Sequence, residues 1–303
     1  VALSALYGLT WSFDTPARQS LLTVMVGGRD DLPNAIALNS AIMNLGRFVG
    51  PAVAGTLLAA VGEAGCFAIN ALSYLAVLPA LWALPPSRSG APPAGLLRDL
   101  AEGFRWVWQT RPARLLIGTL MITSFTLPSY MSMMPVFASD VFGGDAKLQG
   151  LLVSSAGAGA LVGTAMLAMR ASVHGLVTTV IAAGLVGALA LTAFSLAGTL
   201  WLAMPALAVV GFAVIVTAAG TNTILQSIVE ERLRARIVSI YVMAFLGMSP
   251  LGSLAVGALS RATGVQLALA GYGIVCLIVA GLMATRHRAL RDELARLHHR
   301  PGA

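Results

Sequence analysis

Nine long apolar runs alternate with short polar segments along the chain. Each run is about 20 residues or longer, the length of helix that crosses a hydrocarbon core of about 30 Å. Backbone polar groups in lipid must pair within their own segment, and the runs lack the alternation of barrel strands, so each run predicts a transmembrane helix. The predicted spans cover residues 3 to 26, 35 to 60, 64 to 84, 115 to 138, 148 to 169, 175 to 197, 199 to 226, 237 to 259 and 265 to 285.

The polar segments place nearly all of the basic residues on one side of this predicted all-α bundle. Fifteen arginines fall on one side, and only Lys147 and Arg261 fall on the other. The positive-inside rule makes the arginine-rich side, which includes the C-terminus, cytoplasmic. Because nine spans is an odd number and Val1 already lies in an apolar run, we expect three further spans upstream, twelve in all.

Composition agrees with a membrane protein and excludes several other classes. The 303 residues are 57% hydrophobic and 10% charged, with a mean hydropathy of +0.84, whereas soluble domains are about 25% charged. The net charge of +7 sits in loops beside lipid headgroups and has no nucleic-acid motif, so we expect no nucleic-acid partner. The cysteines, Cys66 and Cys276, have no metal-binding spacing, and we expect neither a metal nor a cofactor.

The spans group into four predicted regions. Residues 1–84 hold three spans, 85–112 a cytoplasmic linker, 113–286 six spans, and 287–303 a cytoplasmic tail predicted to be a solvated helix. The linker begins with the flexible sequence PPSRSGAPPAG and continues as an amphipathic helix. That helix either lies in the headgroup plane or packs under the bundle. Its apolar face consists of Leu96, Leu97, Leu100, Phe104, Val107 and Trp108.

An internal repeat relates the two parts of the chain. Residues 30–57 can be laid on residues 231–259, where Asp30 meets Glu231 and Gly55 meets Gly257, with one inserted residue. The separation corresponds to six spans plus their loops. Repeats of this kind are typical of secondary transporters.

Three charged residues lie well inside the predicted spans, namely Asp14, Arg18 and Arg47. Such groups are costly in hydrocarbon and are functional candidates. At 1.5 Å per residue, Asp14 and Arg47 lie about 18 Å and about 17 Å from the cytoplasmic edge, so we expect an ion pair near the midplane. Either Asp14 binds and releases a proton as its partner moves away, or the pair is permanent and fixes helix register.

Three other segments could line a pathway or pack helices closely. Gly46 to Gly55, GRFVGPAVAG, removes side chains from one helix face, and Pro51 interrupts its hydrogen bonding. Gly159 and Gly163 have the spacing of a close helix–helix contact. A polar group on the seventh predicted span, and a methionine-rich stretch after Pro128 on the fourth, could each face a ligand or fill the bundle. These two sets are Thr217, Thr221, Asn222, Thr223 and Gln226, and Tyr130, Met131, Met133 and Met134.

Several sequence segments together resemble the major facilitator superfamily, in the branch of the enterobactin exporter and related drug or macrolide efflux proteins, also described as transmembrane secretion effectors. The resemblance covers essentially the whole chain and makes the nine spans the fourth to twelfth of twelve. The segments are FDTPARQS from Phe13, RDDLPNAIALNS from Arg29, NLGRFVGPAVAG from Asn44, MPVFASDVFGG from Met134 and NTILQSIVEERLRARIVSIY from Asn222.

This resemblance implies two six-helix halves around a central cavity, alternating access and proton-driven export. It makes GRFVGPAVAG similar to the fifth-span antiporter motif, although three residues rather than two separate its proline from its last glycine. The superfamily's acidic and basic signature between spans two and three lies outside the chain. The implied antiporter-like residues are Gly46, Gly50, Pro51 and Gly55. The implied pathway residues are Asp14, Arg18, Gln19, Arg47, Tyr130, Asn222 and Gln226.

The leading hypothesis is therefore a non-enzymatic, monomeric exporter in the bacterial inner membrane. Its substrate would be a siderophore, drug or similar amphiphile, and export would be coupled to inward proton movement. An uptake permease of the same fold is disfavoured by the antiporter-like motif, and an ATPase-driven permease subunit by the internal repeat. A membrane enzyme is disfavoured because the chain has no HExxH, Asp30 and Asp31 lack a further acid, and its histidines lie near membrane edges or in the tail.

Overall fold

The computed structural model describes the chain from the linker helix almost to the C-terminus. It covers residues 96–170 and 175–298, together with 53, 57, 60–62, 64–75, 77–79 and 82. The chain divides into two compact units, residues 1–46 with 67–93, and residues 47–66 with 94–303. In the first unit, and in the adjoining residues 64–66, the structure describes a short apolar helical stretch, Ala64–Pro79. Every helix labelled below belongs to the second unit.

From residue 96 onward, the described residues of the second unit form nine α-helices and no strand. They are α1 (Leu96–Gln109), α2 (Arg111–Thr126), α3 (Tyr130–Val136), α4 (Ala146–Ala168), α5 (Leu176–Ser195), α6 (Leu200–Ile228), α7 (Glu231–Thr263), α8 (Val265–Thr285) and α9 (His287–His298).

Six segments of this unit are long and apolar enough to cross a membrane. They are Arg111–Val141, Ala146–Ala168, Leu176–Ser195, Leu200–Ile228, Arg232–Thr263 and Val265–Thr285. Each matches one of the six spans predicted after residue 113; the last has the predicted bounds, and the ends of the other five shift by one to five residues. The predicted all-helical class and these six spans are confirmed. The first two predicted spans, residues 3–26 and 35–60, lie largely or wholly outside the described residues, so the count of nine stays a prediction.

The first of these spans is a broken helix. A 3₁₀ turn, Leu127–Ser129, separates α2 from α3, and a π-helical turn, Phe137–Val141, follows α3. Pro128 lies in the first break and Pro135 just before the second. Because proline lacks an N–H and its ring clashes with the preceding turn, both prolines favour a departure from the regular α-helix nearby. The break places Tyr130 and the methionines after it on a separate short helix.

Small residues and turn residues set the ends of the other helices. The Asp145 side chain caps α4 by accepting hydrogen bonds from the backbone N–H groups of Lys147, at 3.0 Å, and Leu148, at 3.1 Å, as an N-cap carboxylate does. Gly264, with φ of +86°, separates α7 from α8. A residue with a side chain rarely adopts that backbone conformation, so the sharp turn there requires glycine.

The core consists of two buried clusters, one near each end of the bundle. The outer cluster, at the end of the bundle that holds the Asp145 turn, includes Leu127, Phe137, Leu152, Phe194 and Leu207. The inner cluster, at the end where α1 packs, includes Val107, Leu120, Ile224, Ile237 and Leu290. Helix α6 contributes to both clusters and packs between α4 and α5.

The linker helix and the tail helix both pack against the inner end of the bundle. Gly103 and Val107 of α1 are buried, and Gly103 faces Ile240 of α7. Leu290 of α9 is also buried, so the tail is docked rather than fully solvated as predicted. For α1, packing against the bundle is the alternative that the structure supports, although Trp108 stays 72% exposed.

Candidate functional site

Most of the predicted pathway residues lie in the first part of the chain. Asp14, Arg18, Gln19 and Arg47 are outside the described residues, and so is the antiporter-like motif of Gly46, Gly50, Pro51 and Gly55. Their arrangement, including the expected ion pair between Asp14 and Arg47, stays a prediction. The structure does describe the three remaining candidates, Tyr130, Asn222 and Gln226.

Asn222 and Gln226 form a pair on α6. They are one helical turn apart and both half-buried, and the Gln226 Nε2 atom donates a hydrogen bond of 3.0 Å to the Asn222 Oδ1 atom. Pairing the two amides within one helix satisfies one donor and one acceptor without a partner helix. Each amide keeps further donor and acceptor capacity for another group.

Tyr130 lies apart from this pair. It belongs to the outer cluster and is only 4% exposed. Ala213 of α6 also belongs to the outer cluster, and it precedes Asn222 by nine residues, or about 13 Å along the helix. Within the second unit, therefore, Tyr130 and the amide pair occupy different levels of the bundle.

Four threonines meet at a cavity inside the bundle. Thr119 and Thr123 come from α2, Thr217 and Thr221 come from α6, and apolar side chains of α5 and α8 close the remaining walls. The cavity holds about 20 Å³, enough for about one water molecule. A drug-sized ligand needs roughly 300 Å³ or more, so this cavity is not a substrate site.

Two of the four threonine hydroxyls donate hydrogen bonds to carbonyl oxygens of their own helices. The Thr123 hydroxyl donates to the Thr119 and Leu120 carbonyl oxygens, both at 3.0 Å. The Thr217 hydroxyl donates to the Ala213 carbonyl oxygen at 2.7 Å. These bonds satisfy the two donors and leave hydroxyl lone pairs free to accept hydrogen bonds. The neighbouring Ser124 hydroxyl is buried and has no hydrogen-bond partner among the described residues.

Charged groups converge where α1 meets the start of α7. Glu102 of α1 accepts a hydrogen bond of 2.6 Å from Arg232 and also pairs with Arg236. The Arg232 hydrogen bond, followed by the positive charge of Arg236, lowers the pKa of Glu102 although partial desolvation opposes it. A second ion pair, between Arg111 of α2 and Glu293 of α9 at 2.8 Å, ties the tail to the bundle.

The sequence interpretation missed part of this arrangement. It named Thr217 and Thr221 but not Thr119 and Thr123, although both pairs have the spacing of four that places hydroxyls on one helix face. It also missed the ion pairs of Glu102. No periodicity within α1 could reveal them, because their partners lie 130 or more residues later in the chain.

A family model described as "Transmembrane secretion effector" (MFS_3) matches residues 1–299. The match thus covers nearly the whole chain, including the part that carries Asp14 and the antiporter-like motif.

Curated relatives include transporters from several bacteria. The chain is 32% identical over 263 residues to the multidrug efflux pump Tap of Mycobacterium tuberculosis, an alignment that covers 83% of the chain and 61% of that protein. It is 26% identical to Tap of Mycolicibacterium fortuitum, in an alignment that covers 96% of the chain and 73% of that protein. It is 23% identical to the staphyloferrin A transporter of Staphylococcus aureus, in an alignment that covers 99% of the chain and 75% of that protein. The chain thus spans about three fifths of the length of the mycobacterial relative.

Among solved structures, the fold is similar to that of a bacterial homologue of the human lysosomal transporter Spinster, solved in an inward-facing and unoccupied conformation. The TM-score is 0.61 at 16% sequence identity, and the match covers 90% of this chain and 73% of that one. At this identity, the likeness concerns the fold alone.

Proposed function

The chain belongs to the transmembrane secretion effector family of the major facilitator superfamily, and on that premise we propose that the transporter containing it exports small amphiphilic molecules. The observation that carries the proposal is the family match over residues 1–299, which places the chain among transporters and not among enzymes. The printed names of the relatives, a multidrug efflux pump and a siderophore transporter, support the substrate class.

Proton coupling is the second part of the proposal. Asp14, Arg18 and Arg47 lie in apolar runs, where ionisable groups are costly and are typically kept for function. In this mechanism, Asp14 is ionised while Arg47 is close and takes up a proton when Arg47 moves away, because losing the positive partner raises its pKa. Proton binding and substrate binding would then favour opposite states of the bundle.

The same proposal assigns roles to the regions of the chain. Residues 1–84 supply the second part of one half, 85–112 the linker, 113–286 the other six-helix half, and 287–303 a tail on the cytoplasmic side. Tyr130, Gln19, Asn222 and Gln226 would contribute polar groups to the substrate pathway. The capacity left on the Asn222–Gln226 amide pair supports its part in this role.

The test is Asp14→Asn in the full-length transporter, assayed in inside-out vesicles with an imposed pH gradient and an amphiphilic fluorescent dye. We expect loss of gradient-driven dye movement with normal insertion, because an amide cannot carry the proton. Asp140→Asn is the matched control, since Asp140 is exposed and hydrogen-bonded by Ser139 at 2.6 Å, and it should transport normally. Unchanged transport by Asp14→Asn would remove Asp14 from coupling, and no gradient-driven transport by the wild type would reject proton-coupled export.

A further inference from the structure

The apolar stripe of α1 is wider than the surface that covers it. Gly103 and Val107, four residues apart, are buried against the bundle. A Cβ atom at Gly103 would lie 2.8 Å from the Cδ1 atom of Ile240, so α1 approaches α7 as closely as this glycine allows. The burial of this pair fixes which face of α1 points toward the bundle.

The next pair along the same helix points away from the bundle. Phe104 and Trp108 each follow a buried residue by one position, which turns them by about 100° around the helix axis. Phe104 is 50% exposed and Trp108 is 72% exposed. Two large aromatic side chains therefore form an uncovered apolar strip beside the packed face.

The position of Trp108 along the chain locates this strip at the membrane boundary. The first span begins at Arg111, three residues after Trp108. A helix that ends where a span begins lies at the level of the lipid headgroups, where tryptophan is enriched in membrane proteins. The uncovered strip therefore meets the bilayer interface rather than bulk water.

Arginines surround the aromatic strip. The Arg114 guanidinium lies over the Trp108 ring, 5.6 Å from its centroid, and donates a hydrogen bond of 2.9 Å to the Trp108 carbonyl oxygen. A guanidinium group has five N–H donors, so Arg114 keeps donors for another acceptor. Arg105 is exposed on the same side of α1, three residues before Trp108.

Two nearby carboxylates are already paired with other arginines. Glu102 is paired with Arg232 and Arg236, and Glu293 is paired with Arg111. Over residues 96–114 the sequence contains four arginines and two acids. Exposed aromatic rings flanked by arginines fit a surface that is apolar below and negatively charged at the headgroups.

We propose that the strip formed by Phe104, Arg105, Trp108 and Arg114 binds anionic phospholipid in the leaflet on the arginine-rich side of the membrane. The two rings enter the interface, and the two guanidinium groups hydrogen-bond to lipid phosphate. The strip thereby anchors the linker helix to the bilayer while its other face stays on α7.

The experiment places the full-length transporter in vesicles of phosphatidylcholine and phosphatidylglycerol, with bromine on the acyl chains of one lipid at a time. Bromine quenches tryptophan fluorescence at short range, so it reports which lipid lies beside Trp108. We expect the part of the fluorescence that Trp108→Phe removes to be quenched preferentially by the anionic lipid, with an enrichment of about five-fold for each arginine in contact. Arg105→Gln together with Arg114→Gln should abolish that preference.

Trp201 provides the matched control. It is 92% exposed and lies at the start of α6, about 40 Å along the helix from the end next to α7. Trp201→Phe, and Arg261→Gln at that same end, should leave the headgroup preference unchanged. All of these side chains are exposed, so the variants should stay folded.

Three outcomes would overturn the proposal. One is quenching of the Trp108 component equally by both lipids. Another is a headgroup preference that survives the double arginine substitution. The third is that neither brominated lipid quenches Trp108 and that two copies of the protein associate at higher protein density. That result would make the strip a protein–protein interface.

Discussion

Helices α6 and α7 follow each other in the chain, yet the bundle holds them in different ways. In the most apolar stretch of α6, 50% of the residues are buried, against 17% for α7. Both helices are long, with 29 and 33 residues, and both contain an internal proline. The difference therefore does not arise from their length, and the two helices also differ in how they contact their neighbours.

Backbone contacts hold α6. A Cβ atom added at Gly211 would lie 1.9 Å from the Ala156 carbonyl oxygen of α4, and one at Gly159 would lie 1.6 Å from the Ala208 carbonyl oxygen of α6. The close contact predicted from Gly159 and Gly163 is thus confirmed. Helices without side chains between them gain dispersion contact along their length, the main source of association in lipid.

Helix α7 has one close backbone contact, where a Cβ atom at Gly252 would lie 1.9 Å from the Phe125 carbonyl oxygen of α2, and several polar contacts besides. The Tyr241 hydroxyl of α7 donates to the Ala218 carbonyl oxygen of α6 at 3.0 Å, and the Tyr272 hydroxyl of α8 donates to the Gly252 carbonyl oxygen of α7 at 2.9 Å. At its start, α7 carries the arginines that pair with Glu102. The polar contacts of α7 lie at separate levels, so each can be removed without the others, whereas α4 and α6 approach closely at both Gly159 and Gly211.

The largest effect is expected at Gly211. Gly211→Ala places a methyl group against the backbone of α4, which cannot move aside as a side chain could, and should lower the free energy of unfolding by about 3 kcal/mol. Thermal unfolding of the purified protein in detergent, followed by tryptophan fluorescence, measures the loss.

Gly271→Ala on α8 is the control for Gly211→Ala. Nothing lies within 4 Å of a Cβ atom at Gly271. The free energy of unfolding of this variant should therefore equal or slightly exceed that of the wild type, because alanine has a higher helix propensity than glycine. Equal stability of the two variants would mean that α6 is not held by close backbone contact.

A smaller effect is expected from the tyrosine hydroxyls. Tyr241→Phe and Tyr272→Phe keep the rings, which stack on Phe245 and Phe125, and remove only the hydrogen bonds to backbone carbonyls. Each should cost about 0.6 kcal/mol, typical of such bonds between membrane helices. In the double variant, the two losses in unfolding free energy should add, since the contacts are independent. A combined loss well above the sum would show that α7 is held as one cooperative unit.

The smallest effect is expected at Glu102. Its pKa is lowered in the folded protein, chiefly by the hydrogen bond from Arg232, so its ion pairs contribute stability above the unfolded pKa and lose it as pH falls through the folded pKa. Glu102→Gln should therefore melt slightly below the wild type at neutral pH, and the difference should disappear in acid. High salt at neutral pH should also reduce the difference in melting temperature between the variant and the wild type, because salt screens exposed ion pairs. A difference that stays constant from neutral to acidic pH would remove the ion pairs as its cause.

Apolar run length predicted the spans of the second unit well. A transmembrane helix is recognised by comparing the length of an apolar run with the thickness of the bilayer. The runs before and after Arg170 therefore coincide with α4 and α5. The amphipathic pattern likewise located α1. The same pattern could not decide which part of the apolar face is covered, because Gly103, which makes the closest contact with α7, carries no side chain to count.

Prediction of the candidate site depended on contacts that are distant in sequence. Depth along a helix can be estimated from residue number, and the sequence analysis grouped Asn222 and Gln226 on one predicted span. Rotation relative to other helices cannot be obtained that way, and it is rotation that brings Thr119 and Thr123 to face Thr217 and Thr221. For the same reason the burial of Leu290 in the tail was not foreseen.

The contact between Gly211 and the Ala156 carbonyl oxygen also restricts how this protein can evolve. A clash with a side chain can be relieved by a second-site suppressor that shortens that side chain. Here the opposing atom belongs to the main chain and is present whichever amino acid occupies position 156. A side chain introduced at position 211 therefore cannot be accommodated by any substitution at position 156, so the glycine itself must be retained.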